Sequence, residues 1–212
     1  MKKATAIACV FIDVGGVLLT DGWDHHARRR AARTFKLNWA EMEKRHHLVF
    51  AIYEEGKLTL EEYLYRVVFY KKRAFTRAQF RRFMFAQSKA YPDMIDLIAR
   101  LKVTHRLKIA VVSNEGRELN VYRIQKFKLA RLVDLFVSSC FVQVRTPDEE
   151  MFRLAMDIAQ VQPRDVVYID NTAMFTEIAQ GLGIRRVLHT DYQSTRAKLA
   201  ALGLSNGRQT WL

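Results

Sequence analysis

Three polar clusters in this chain each follow a short apolar run. Asp13 follows Val10-Phe11-Ile12, Ser113-Asn114 follows Ala110-Val111-Val112, and Asp170-Asn171 follows Val167-Tyr168-Ile169. A carboxylate delivered among Val, Phe and Ile is costly unless a metal, hydrogen bonds or a phosphorylated substrate meets it. Gly15 and Gly16 come directly after Asp13 and turn the chain, so Asp13 also fits a plain turn cap. The chemistry therefore depends on whether the three clusters share one place.

The elements that must position them read as alternating strands and helices. Strands are expected at 4–12, 107–112, 135–138, 166–169 and 186–188. Helices are expected from Pro92, which suits a first helical turn, with Ile95, Leu97, Ile98 and Leu101 facing the core. Others are expected at 116–127, at 149–159 after Asp148, at 173–182 before Gly183, and at 195–202, with a loosely held tail from Ser205. Repeated strand–helix units imply an α/β fold, a doubly wound parallel sheet. Such sheets keep ligands beyond the carboxyl ends of their strands, where all three clusters would converge.

Residues 17–20 lead out of the glycine turn. Between 21 and 90 no strand pattern appears. Helices are expected at 25–35, at 39–53 with a stop at Gly56, at 63–69 after the capping box Thr59-Leu60-Glu61-Glu62, and at 77–88 after Thr76. The division is thus a core of 1–20 and 91–212 with an inserted helical segment, 21–90. That segment holds sixteen Lys and Arg against eight Asp and Glu, so it carries about +8 of the chain's +13 net charge. Such charge favours anionic partners or simply solubility. No run is long enough for a membrane span. The opening Met1-Lys2-Lys3 and the apolar residues after it read as a strand rather than a leader, because Asp13 breaks the run and no small-residue cleavage site follows. Cys9 and Cys140, both expected in strands, suit reduced thiols in the cytoplasm.

In this order and spacing the clusters resemble the haloacid dehalogenase-like hydrolase superfamily, over nearly the whole chain. Its four motifs match Phe11-Ile12-Asp13-Val14-Gly15-Gly16-Val17-Leu18, Ala110-Val111-Val112-Ser113-Asn114, Thr146-Pro147-Asp148-Glu149-Glu150-Met151-Phe152, and Val167-Tyr168-Ile169-Asp170-Asn171. Glu177, Ala179 and Gly183 follow at the family's spacing. The insert matches the family's helical cap. The resemblance implies a phosphatase acting on a small phosphorylated metabolite. Asp13 would be the nucleophile that becomes an aspartyl phosphate. Mg2+ would be held by Asp13, the Gly15 carbonyl and Asp170. Ser113 and Asn114 would hold the phosphate.

The chain departs from the family pattern at three positions. Gly15 stands where most family phosphatases have a second Asp, the acid–base group; Asp21, Asp24, His25 and His26 are candidate stand-ins. Thr146 replaces a lysine that offsets repulsion between nucleophile and anionic substrate, and neighbouring Arg145 is a candidate replacement. Asn171 replaces the second acid of a pair, and Met174 occupies the alternative position for it. A weak or narrow phosphatase is therefore the leading expectation. The alternative is a catalytically silent phosphate-binding or regulatory module. Haloacid dehalogenation ranks lower because it too uses the lysine that Thr146 replaces. Nucleic-acid binding also ranks lower, because Phe80 and Phe83, set among the basic runs, fit a buried helix face better than a stacking platform. Oligomeric state is not legible in the sequence.

Overall fold

The structure, a computed structural model, describes residues 7–205. In chain order it contains β1 (Cys9–Ile12), α1 (His25–Thr34), α2 (Trp39–Glu54), α3 (Leu60–Val67), α4 (Arg77–Ala86), α5 (Pro92–His105) and β2 (Lys108–Ser113). There follow α6 (Arg117–Lys126), β3 (Leu135–Ser138), α7 (Ser139–Val142), α8 (Glu150–Ala159), β4 (Val166–Asp170), α9 (Ala173–Gly181), β5 (Arg185–Leu188) and α10 (Tyr192–Ala201). The strands form one parallel sheet in the order β3-β2-β1-β4-β5.

Alternation along each strand explains why helices cover both faces. Val10 and Ile12, Ile109 and Val111, and Val167 and Ile169 point to one side, where Met94, Leu97, Ile98 and Leu101 of α5 and Leu199 of α10 pack on them. Cys9 and Phe11, Ala110 and Val112, and Val166 and Tyr168 point to the other, against Met151, Phe152 and Ala155 of α8 and Ala179 of α9. A strand buried on both faces reads as a continuous apolar run, which is why these strands stand out in the sequence.

The helices α1–α4 build a third apolar cluster around Trp23, Met42, Tyr53, Tyr63, Leu64 and Phe80, which Leu119 of α6 joins. Their starts are capped as their sequences require. Asp24 accepts from the Ala27 N–H, Asn38 from that of Glu41, and Thr59/Glu62 and Thr76/Gln79 form reciprocal capping boxes. The two links to the sheet run side by side. The Thr20 N–H donates to the Lys89 carbonyl at 2.8 Å, and the Thr20 hydroxyl donates to the Gln87 carbonyl at 2.8 Å.

Several expectations need correction. The first strand starts at Cys9, because its partners begin at Lys108 and Val166; residues 4–6 and the tail beyond Ser205 lie outside the described residues. Helix α10 starts at Tyr192, three residues early, because Asp191 caps it through the Ser194 N–H. Cys140 lies in the short helix α7, not in a strand, and both cysteines are free and buried. Ile95 is only partly buried, while Met94 takes a core position on α5. Residues 17–20 lead out of the glycine turn, and Leu19 there makes isolated bridges to Gly15 and Ala90.

Candidate functional site at the carboxyl edge of the sheet

The strand ends do converge. Asp13, Gly15, Asp21, Asn114, Arg145, Thr146, Asp170 and Asn171 line one cavity of about 440 Å³ between the sheet edge and the helical segment. Ser113 lies in the last position of β2, its hydroxyl buried and without a hydrogen bond of proper geometry. It is close enough to Asp13 to favour the ionised carboxylate there.

Asp13 keeps some exposure through the cavity, whereas Asp170 is buried. Desolvation pushes the Asp13 carboxyl well above its usual range, and the Asp170 charge pushes it further. Asp170 is raised by burial too, against the pull of Tyr168 and Thr172, whose O–H and N–H donate to its two oxygens. Two facing carboxylates in a poorly solvated edge resist joint ionisation. A divalent cation between them would reverse that. Among the described residues, no group of three or more His, Cys, Asp or Glu is arranged to hold a metal. The donor set on offer is two carboxylates and the Gly15 carbonyl, with cavity volume for water. That fits magnesium, which takes one or two carboxylates and keeps several waters.

Of the candidate stand-ins for the acid–base group, Asp21 lies beside Gly15. A Cβ on residue 15 would stand 3.3 Å from the Asp21 Oδ1. The Asp21 carboxylate therefore borders the space that a side chain at position 15 would enter. The Asn171 amide is close enough to the Asp21 carboxylate to favour its ionised form. That amide rests on Gly16, where a Cβ would come within 2.0 Å of Nδ2. Asp21 is itself raised, by burial of its inner side and by Asp24. The other candidate stand-ins are placed differently. Asp24 lines the cavity but caps α1, and His25 and His26 are exposed and outside it. Met174 is exposed, away from the site.

The phosphate-holding expectation needs adjustment at Asn114. Its side chain donates to the Thr146 carbonyl at 2.9 Å and accepts from the Thr146 N–H at 3.0 Å. Asn114 thus fixes the Thr146 loop, with both ends of its side-chain amide engaged. Arg145 reaches the cavity, but its guanidinium donates to Glu54 at 2.8 Å.

Sequence reasoning missed Trp23, Arg28, Tyr53, Glu54, Glu115, Arg123 and Tyr168. One carried a signal: Tyr168 lies two residues before Asp170 on β4, the strand period that shares a face. Arg123, only 2% exposed, pairs with buried Glu115 and donates to Ser88 Oγ at 3.0 Å and to the Asp21 carbonyl at 2.5 Å. One side chain thereby ties both links of the helical segment to the β2 edge. Nothing local in the sequence marks that role.

A family model for haloacid dehalogenase-like hydrolase matches residues 7–183. The chain belongs to the haloacid dehalogenase-like hydrolases. It is 25% identical over 190 residues to a phosphorylated carbohydrates phosphatase of Thermotoga maritima, covering 84% of this chain and 82% of that one. It is 26% identical over 89 residues to (S)-2-haloacid dehalogenase 4A of Burkholderia cepacia, 42% of this chain and 38% of that one. Among solved structures, the HAD family enzyme BT-2542 of Bacteroides thetaiotaomicron superposes with a TM-score of 0.74 at 21% identity, over 86% of this chain and 93% of that one. An aspartate-to-alanine mutant of that enzyme was crystallised with magnesium and inorganic phosphate, and matches with a TM-score of 0.73 at 19% identity, over 86% of this chain and 93% of that one. Among the described residues, no helix is long and apolar enough to cross a membrane.

Proposed function

We propose that this hydrolase is a magnesium-dependent phosphatase of a small phosphorylated metabolite, with residues 21–90 serving as its cap. The observation that carries the reading is the pair Asp13 and Asp170, facing one cavity with no side-chain cation among the described residues paired to either. The relatives named for phosphatase activity or crystallised with magnesium and phosphate support it. An anionic 2-haloacid would find no unpaired side-chain cation among the lining residues, which disfavours dehalogenation.

In this reading Asp13 attacks phosphorus and forms an aspartyl phosphate that water then hydrolyses. Ser113 holds a phosphoryl oxygen with its unpartnered hydroxyl. Asp13, the Gly15 carbonyl and Asp170 would hold Mg2+, which supplies charge neutralisation at the phosphoryl oxygens when bound. Asp21, steadied by Asn171, gives a proton to the leaving oxygen and later accepts one from water, the work a carboxylate at position 15 would do. Thr146 contributes no charge, so slow or narrow turnover is expected. The substrate is a metabolite rather than a nucleic acid, because among the basic runs Phe80 is fully buried and Phe83 is partly buried against the helical cluster, leaving neither as a stacking platform. Buried free Cys9 and Cys140 suit the cytoplasm.

The test is hydrolysis of 4-nitrophenyl phosphate with and without magnesium, by the parent and by Asp13→Asn. Magnesium-dependent turnover that disappears in the variant supports the reading. Equal rates in the two proteins would sink it and leave a phosphate-binding module.

A further inference from the structure

The cavity wall is built from both layers of the molecule. Trp23, Phe50, Tyr53 and Glu54 come from the helical segment, and Arg145 and Phe175 from the sheet side. Glu54 is the last residue of α2, and its position is fixed twice. Its backbone carbonyl accepts from the Ser139 hydroxyl at 2.7 Å, and its Oε2 accepts from Arg145 at 2.8 Å. No described residue donates to its Oε1.

Two donors near this pair lack acceptors. Arg145 Nε is buried and unpartnered, and the hydroxyl of Tyr53, a fully buried residue whose ring packs over Gly116, has the Leu119 N–H near its oxygen but no acceptor for its proton. Buried polar groups without partners are rare in native proteins, and at a cavity wall they mark where a ligand's polar atoms belong. One acceptor and two donors beside the aromatic rings of Trp23 and Phe50 match adjacent hydroxyls on a carbon skeleton, since each hydroxyl both donates and accepts.

Charge limits the ligand further. Each cation lining the cavity is already paired: Arg28 with Glu43 at 2.6 Å, Arg123 with Glu115, and Arg145 with Glu54. The carboxylates Asp13, Asp21, Asp24 and Asp170 have no such partner among the described residues. A substrate bringing a second anion alongside its phosphate would meet no free cation and, above about pH 7 where Glu54 is ionised, would face its carboxylate. Like-charge contact of this kind is an effective device for rejecting a wrong ligand.

We infer that Glu54, Arg145 and Tyr53 form a leaving-group subsite that selects phosphate monoesters of uncharged, hydroxyl-bearing alcohols and rejects esters carrying a second anionic group. This rests on the cavity being the phosphoester site proposed above. It adds the substrate class and the residues that read it.

Glycerol 3-phosphate and 3-phosphoglycerate test it, because they share a skeleton and differ in one CH2OH against one carboxylate. Binding of each to Asp13→Asn protein with magnesium is measured by calorimetry, and kcat/KM of each is measured with the parent. Glycerol 3-phosphate is expected to be favoured roughly tenfold or more by both measures. Glu54→Gln should move that ratio towards one, since it removes the opposing charge and frees Arg145 for a carboxylate. Tyr53→Phe should weaken glycerol 3-phosphate alone by several-fold, and it stands as the test should Glu54→Gln fail to fold. Equal or reversed preference, a ratio unmoved in both variants, or no binding and no turnover of either ester overturns the inference. The two readings fail separately. Preferential binding without any hydrolysis removes the phosphatase and keeps the subsite, whereas hydrolysis with the opposite preference does the reverse.

Discussion

The carboxyl edge of the sheet and the helical segment above it handle polar groups in opposite ways. In the helical segment, away from Tyr53 and Glu54 at the cavity wall, they are satisfied. Arg28, though buried, donates to both oxygens of Glu43 and to the Trp23 carbonyl. Trp23 Nε1 donates to the Tyr63 hydroxyl at 2.8 Å, which leaves that hydroxyl's proton for His46 Nδ1 at 2.8 Å. Desolvation brings His46 down to about 3, so it is the neutral acceptor this chain needs. At the sheet edge the groups are left in want. Asp13 and Asp170 are both pushed up, chiefly by burial, with no paired cation among the described residues, and the Ser113 hydroxyl has no proper partner. The helical segment thus has the polar bonding of a structural unit, and the edge that of a site awaiting ligands.

Substitutions should therefore move stability and activity in opposite directions at the edge and in the same direction elsewhere. Asp13→Asn is the largest case. It should cost about 10⁴ or more in aryl phosphate hydrolysis. It should also raise the melting temperature in metal-free buffer, because it removes one of two repelling carboxylates. A variant that loses both activity and stability would mean that Asp13 is structural, and the contrast would fail.

Arg123→Met tests the tie between the two regions. It leaves Glu115 unpaired and frees the links at Asp21 and Ser88. The expected loss is about 3 kcal/mol in chemical denaturation, with activity falling alongside. Unchanged stability would show that the links hold themselves.

The same contrast explains what was legible in the sequence. The sheet was readable because each strand is buried on both faces and ends abruptly in a polar residue. The helical segment was readable because Thr59, Thr76 and Gly56 punctuate it. Asp13, Asn114, Asp170 and Asn171 were found because they lie at strand ends, and Gly15, Asp21, Arg145 and Thr146 because they stand at or beside departures from the family pattern. The cavity's helical wall was not, since Trp23, Tyr53 and Glu54 reach it through the packing of α1–α4, which no local pattern encodes. Glu54 looked like part of a helix end, and only the tertiary contact with Arg145 gives it another role. Asp21's place beside Gly15 likewise depends on how the chain turns back after Leu18.

Glu54 belongs to the helical segment but behaves like the edge. Burial lifts its carboxyl from 4.5 to about 7 despite the opposing pull of Arg145. A carboxyl raised by folding keeps its proton longer in the native protein than in the unfolded chain. Its contribution to stability is full below about pH 4.5 and is lost as pH climbs through about 7. Melting curves of the parent should therefore decline from about pH 5 to about pH 8 relative to Glu54→Gln, by on the order of 2 kcal/mol. Parallel pH profiles for the two proteins would mean that Arg145 compensates the charge in full, and Glu54 would then belong with the satisfied groups of its own layer.

Thr59→Ala is the smallest expected effect and probes the helical segment by itself. Thr59 accepts from the Glu62 N–H, and Glu62 accepts from the Thr59 N–H at 2.8 Å, in an exposed box far in sequence from any strand end. Losing the cap should cost about 1 kcal/mol. If the segment serves the site only by holding shape, kcat and KM for an aryl phosphate should stay within about a factor of two at temperatures well below melting, because α3 is weakened at its start and not displaced. The residues of α2 that reach the cavity lie on the preceding helix, with the Gly56 turn between. A larger fall in activity than in stability would mean that fraying at α3 is transmitted to Tyr53, whose ring stacks on Tyr63 of that helix at 5.0 Å. The separation between a satisfied scaffold and a polar site in want would then break down at that stacked pair.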